Sequence, residues 1–132
     1  MPAPVVGIDL GTTHSLVAVM KGDRPELIPN RYGKRLTPSV VGLDKNGQVH
    51  VGESAKNQLV TAPERTVLEV KRLMGSGQKV TLGDRTYTPQ EISGFILKAL
   101  KDDATTMRIA ATLAGTTPSI TLNAWIAGGI IR

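Results

Sequence analysis

An apolar run, Val5-Val6-Gly7-Ile8-Asp9-Leu10, breaks at Gly11-Thr12-Thr13-His14, and a second, Ser15 to Lys21, begins at once. Two short runs rich in β-branched residues around a tight turn predict a β-hairpin. The turn holds what a phosphate needs. Gly11 lets backbone N–H groups approach, Thr12 and Thr13 bring hydroxyl donors, and the Asp9 carboxylate can hold a hydrated Mg²⁺. An ordinary polar turn capped by a carboxylate is the competing reading. A Walker-type loop is excluded, because no helix pattern follows and no Gly-Lys-Ser/Thr is present.

Ile8-Asp9-Leu10-Gly11-Thr12-Thr13-His14-Ser15 resembles the first phosphate motif of the seventy-kilodalton heat-shock chaperones, the DnaK type. Arg35-Leu36-Thr37-Pro38-Ser39-Val40-Val41 resembles the family's R-x-T-P-S segment, and Val70-Lys71-Arg72-Leu73-Met74-Gly75 its V-K-R-L-x-G segment. Sugar kinases and other actin-like ATPases carry relatives of the first motif alone. Three motifs in the same order are far more specific. The resemblance runs from about Val5 to Ala104 and stops abruptly.

With 132 residues and 40% hydrophobic content the chain can bury one core, built from Val, Ile, Leu and Ala because aromatics are only 3%. Cysteine is absent, which excludes disulfides and thiolate chemistry. The net charge of +5 permits nucleic-acid binding, but the basic residues are scattered and no aromatics interleave with them, which argues against it. No secretory signal pattern and no membrane-length apolar run is seen, so a cytoplasmic protein is expected.

Further strands are predicted at Glu26–Ile28, Ser39–Leu43 and Val49–Val51, the last two around the turn Asp44-Lys45-Asn46-Gly47. Helices are predicted over 54–60 and over 64–74, the second stopping at Gly75. A hairpin is expected at 79–87 about Gly83-Asp84. The clearest helix starts at Thr88-Pro89-Gln90-Glu91, which has the form of a capping box with proline at the first helical position. Ile92, Phe95, Ile96, Ala99 and Leu100 then fall on one face.

The chain thus divides into residues 1–104, a partial nucleotide-binding (ATPase) domain of the first lobe, and residues 105–132, a tail without a match to the family. The tail reads like a shifted reading frame or an artificial junction. It is expected to be poorly ordered and to leave the sheet edge beside the first hairpin unpaired. Ile120-Thr121-Leu122 is the one stretch in it suited to a strand.

The fold class implied by the resemblance is α/β: a partial actin-like, ribonuclease-H-like ATPase lobe with an N-terminal β-hairpin sheet plus helices. The cofactors it implies are ATP or ADP and Mg²⁺. Asp9 would orient the hydrated metal. Gly11, Thr12, Thr13 and the His14 backbone would hold phosphate oxygens. Lys71 matches the lysine that polarises the γ-phosphate and positions the attacking water. The residues support an inward Lys71 through the spacing of Val67, Val70 and Met74 along a helix, where a buried cation needs an anion. The remaining histidine, His50, is read as an exposed strand residue, and two distant histidines make no metal site.

The implied function is the ATP-binding N-terminal part of an ATP-dependent protein-folding chaperone. The family's second phosphate loop, adenosine pocket and substrate-binding module have no counterpart here, so little or no ATPase activity is expected of the chain alone. Family partners are unfolded polypeptides, J-domain co-chaperones and nucleotide-exchange factors. A sugar-kinase-like member of the same superfamily and a non-catalytic fragment are the alternatives.

Overall fold

Alternate residues of the first run have opposite fates, which is the signature of a strand covered on one face. In the computed structural model, which describes residues 5–113, 121–126 and 129–131, Val6, Ile8 and Leu10 are buried while Asp9 between them is exposed. They lie on β1 (Val5–Leu10), which pairs antiparallel with β2 (His14–Lys21) from Val6↔Val19 to Leu10↔Ser15. The hairpin stands as the sequence implies. β3 (Arg24–Leu27) continues the meander on the far side of β2, and the two-residue β4 (Thr37–Pro38) pairs with the start of β2.

A second sheet is built on β5 (Val40–Leu43), flanked by β6 (Val49–Val51) on one side and β7 (Thr66–Leu68) on the other, all antiparallel. β8 (Val80–Leu82) and β9 (Arg85–Tyr87) form the expected hairpin. The mixed α/β arrangement agrees with a partial actin-like ATPase lobe.

The helix predicted over 64–74 does not form. Its sequence is divided among a 3-10 turn at Pro63–Arg65, strand β7 and a second 3-10 helix at Val70–Leu73. The β-branched pair Thr66-Val67 finds a ladder on β5, with Val41↔Val67 and Gly42↔Thr66, and that tertiary pairing overrides the local helical spacing. Glu69 then turns the chain with φ 53°, a left-handed conformation that no helix continues through. The helix predicted over 54–60 is shorter, α1 (Glu53–Asn57). Gln58, just past its end, turns its side chain away: Nε2 donates to the Leu43 carbonyl at 3.1 Å and to Thr66 Oγ1 at 2.9 Å, pinning β5 to β7. Gly42 leaves room for that amide, since a Cβ there would lie 2.5 Å from its nitrogen and displace it from these bonds.

The long helix α2 (Pro89–Leu113) carries its predicted cap. The Glu91 N–H donates to Thr88 Oγ1 at 3.1 Å, and the Thr88 hydroxyl donates to Glu91 Oε1 at 3.2 Å. Ile92, Ile96 and Leu100 are buried against Val6, Ile8, Val17 and Val41, and Phe95 meets Tyr87 edge-on, with centroids 5.5 Å apart. By area bookkeeping each such aliphatic side chain contributes roughly 1.5–3 kcal/mol.

α2 continues past Ala104. β10 (Thr121–Ile126) then runs parallel to β1, from Val5↔Thr121 to Asp9↔Trp125, and β11 (Gly129–Ile131) pairs antiparallel with β10. The edge of β1 expected to be bare is therefore paired. Thr121, Trp125 and Ile126 are residues that favour strands, and the parallel direction follows from the intervening helix, which carries the chain back to the start of the sheet. The strand expected at 120–122 begins at Thr121; Ile120 lies outside the described residues.

Candidate functional site

The turn between β1 and β2 is held from behind by the segment that follows β4. The Ser39 N–H donates to the Thr13 carbonyl at 2.9 Å, and the Ser39 hydroxyl donates to the Gly11 carbonyl at 2.9 Å. Ser39 Oγ also lies 2.8 Å from Ser15 Oγ, in a fully buried contact. Since the Ser39 proton is directed to Gly11, the Ser15 hydroxyl is the donor in that pair. Gly11 itself admits no side chain, because a Cβ there would overlap the His14 carbonyl oxygen. The turn is tight, and two buried hydroxyls brace it.

Beside the turn, and bordered also by that segment, lies a cavity of about 150 Å³ lined by Thr12, Thr13, His14, Pro38, Ser39, Val40, Lys56, Leu68 and Glu69. Thr12, Thr13 and His14 thus border one space together. Lys56, on α1, is the cation that lines it, and nothing in the first-motif reading singled it out. Only the packing of α1 against β4 and β5 carries it there; its spacing to Ala55, which is buried, gave no separate signal. Glu69 brings negative charge to the same space, and its carboxylate is engaged by Arg72 Nε at 2.9 Å.

Asp9 is exposed at the far end of β1, on the face of the strand opposite Val6, Ile8 and Leu10. Among the described residues no group of three or more His, Asp or Glu side chains could enclose a metal. A carboxylate standing alone suits an ion that keeps most of its water, as Mg²⁺ does.

Lys71 follows Glu69 by two positions, in the second 3-10 helix, and is half-buried. It does not line the cavity; its carbonyl accepts the Met74 N–H at 3.2 Å, and its ammonium makes no ion pair or hydrogen bond among the described residues. The helical stripe argued for it is absent: Val67 lies on β7, and Met74 is extended and 38% exposed. Val70 alone of the three is buried. His50 is half-buried rather than exposed, with Nε2 3.0 Å from Asp44 Oδ2. That contact, with the Gln48 N–H, holds the Asp44 carboxyl below its ordinary range.

A family model described as Hsp70 protein matches residues 5–80. The match takes in all three motifs and the whole of the cavity lining. The chain belongs to the Hsp70 family. Chaperone proteins DnaK from Thermotoga petrophila, Thermotoga maritima and Thermotoga neapolitana are each 58% identical to it over 101 residues. Those 101 residues are 76% of this chain and 17% of each relative, so the Hsp70 stretch here spans about a sixth of the relatives' length. Among the described residues of this Hsp70 chain no helix is long and apolar enough to cross a membrane.

Proposed function

We propose that this chain is the ATP-binding N-terminal part of an ATP-dependent, cytoplasmic protein-folding chaperone, and that alone it binds nucleotide weakly and turns it over little or not at all. The observation that carries the reading is the braced Gly11-Thr12-Thr13 turn, with Lys56 across the cavity from it, inside the stretch matched to the Hsp70 family.

The residues present fit a phosphate group on one side. Gly11 lets the turn close on the His14 carbonyl, where a Cβ has no room; Thr12 and Thr13 bring hydroxyls to the cavity edge, and Lys56 brings positive charge. Gly11, Thr12, Thr13 and the His14 backbone would hold phosphate oxygens, Asp9 would orient a hydrated Mg²⁺, and Lys71 would polarise the terminal phosphate. Bound Mg-ATP would supply a phosphoanhydride whose cleavage depends chiefly on positioning and charge. The volume argues for weak binding: about 150 Å³ is less than the roughly 300 Å³ at which pockets begin to bury a drug-sized ligand. Unfolded polypeptides, J-domain co-chaperones and nucleotide-exchange factors are the partners proposed for the whole protein. The family match disfavours the sugar-kinase alternative.

Calorimetric titration of Mg-ATP into the pure chain tests this. The expected result is saturable binding weaker than micromolar, with no multiple turnover. Absence of any saturable binding would remove the nucleotide reading. Micromolar or tighter affinity, or steady hydrolysis, would remove the claim that the chain alone is nearly inactive.

A further inference from the structure

Between β3 and β4 the chain makes a nine-residue excursion, 28–36, organised around Asn30. Its Oδ1 accepts the Tyr32 N–H at 2.9 Å and the Lys34 N–H at 3.1 Å, while its own N–H donates to the Lys34 carbonyl at 2.7 Å. The other half of the same amide faces forward. Nδ2 donates to Thr37 Oγ1 at 3.1 Å and reaches the Leu36 carbonyl at 3.4 Å. The surroundings settle which atom is which, since two N–H groups face the oxygen and a carbonyl and a hydroxyl face the nitrogen.

The two halves lead to different places. Backward, the loop is tied to the helices: Arg31 Nε lies 3.4 Å from Asp103 Oδ1 on α2, and Lys34 Nζ lies 2.8 Å from Glu53 Oε1 on α1. Forward, Thr37 and Pro38 pair with Ser15 and His14, and Ser39 then closes on the Thr13 and Gly11 carbonyls. Thr37 is buried, so its hydroxyl has little access to water in exchange for Asn30.

We infer that Asn30 is a positioning residue for the Gly11–Thr13 turn, delivering the Thr37–Ser39 segment against the back of that turn through its Nδ2 contact with Thr37. It touches no ligand itself and acts through Ser39. The consequence for ATP rests on the nucleotide reading of the turn; the consequence for the turn's geometry does not.

The Ser39 amide, which bonds to Thr13, is the reporter. Amide exchange is followed by NMR in the whole chain, in Asn30→Ala, in Thr37→Val and in the double variant, with the hairpin amides of Val6 and Val17 as internal controls. Thr37→Val nearly keeps the shape of the buried side chain and removes its hydroxyl, and with it the acceptor for Asn30 Nδ2. Ser39 should exchange about tenfold faster in each single variant, relative to the controls, as expected for loss of one ordinary hydrogen bond. The double variant should be no faster than Asn30→Ala, because both remove the same link. Unchanged Ser39 exchange in Thr37→Val, or additive effects in the double variant, overturns the inference, and Thr37→Val decides alone should Asn30→Ala not fold. Mg-ATP titration of the same proteins separates the two readings. If the unmodified chain binds nothing, the nucleotide reading fails while the Ser39 exchange still decides this one. If it binds and Thr37→Val binds equally well, the positioning role is overturned.

Discussion

The Ser39 hydroxyl donates to the Gly11 carbonyl at 2.9 Å across 28 residues of sequence, and this bond joins two of the three motifs into one structure. The R-x-T-P-S segment is the back wall of the Gly-Thr-Thr turn. Its serine makes the turn's conformation depend on a strand that pairs with β2 rather than on the hairpin alone.

Removing that hydroxyl has a defined cost. Ser39→Ala strands the Ser15 hydroxyl, which is 0% exposed, without its partner. An unsatisfied buried hydroxyl costs about 1–3 kcal/mol. Urea unfolding should show a loss in that range for Ser39→Ala. The double variant Ser15→Ala/Ser39→Ala should lose less than the two single losses added together. A fully additive pair would mean that the two hydroxyls do not depend on one another.

Gly11→Ala should destabilise the chain and deform the turn together. The new Cβ meets the His14 backbone oxygen rather than the end of a flexible side chain, so β1 or β2 must shift. A loss of about 1–3 kcal/mol in urea unfolding is expected, in the ordinary range for a backbone clash. Chemical-shift changes should centre on 11–15. A variant with the parent's unfolding midpoint and spectrum would contradict the tight-turn geometry.

For nucleotide binding the two lysines should behave differently. Lys71→Ala is expected to weaken ATP more than ADP, since its charge is assigned to the terminal phosphate. Lys56→Ala, which removes the cation lining the cavity, should weaken both. Competition titrations measure the ratios. An equal loss of ATP and ADP in Lys71→Ala would assign that residue to the fold rather than to the phosphate.

The carboxylates predict opposite pH responses. Asp103, 8% exposed on α2, has its carboxyl pushed up from the ordinary 3.8, chiefly by burial and against the opposing charge of Arg31. The folded state therefore holds that proton longer than the unfolded state does. Its contribution to stability is full below the ordinary value and is lost as pH rises through the raised one. Glu53 is held below its ordinary 4.5, first by the Lys34 hydrogen bond, and Asp44 below 3.8, first by His50. Their contributions are present above those ordinary values and are lost as pH falls through the lowered ones. With pH rising from the ordinary value of 3.8, the unfolding midpoint of Asp103→Asn should gain relative to that of the parent chain, which alone loses the Asp103 contribution. The same slope in both proteins would show that Asp103 is not the group responsible.

Local chemistry was enough to read the first hairpin, the turn at Asp44–Gly47, the 80–87 hairpin and the capped start of α2. Each depends on residues within a few positions of one another: alternation in Val6–Leu10, glycine in a turn, Thr88 reaching the Glu91 N–H. The three ordered motifs likewise carried the family. What the sequence by itself could not determine is which local preference survives contact with the rest of the chain. Residues 64–74 have helical spacing, yet Thr66–Leu68 joins β5 because ladder bonds and burial there outweigh a propensity difference of well under about 1 kcal/mol per residue. The same pairing shaped the cavity beside the turn. It removed the helical face assigned to Lys71, brought Leu68 and Glu69 to the turn, and left Lys56 of α1 as the cation in the cavity. No spacing rule links Gly11, Ser39, Lys56 and Glu69, because their proximity arises from strands and helices packing across long loops, and only the tertiary structure settles that.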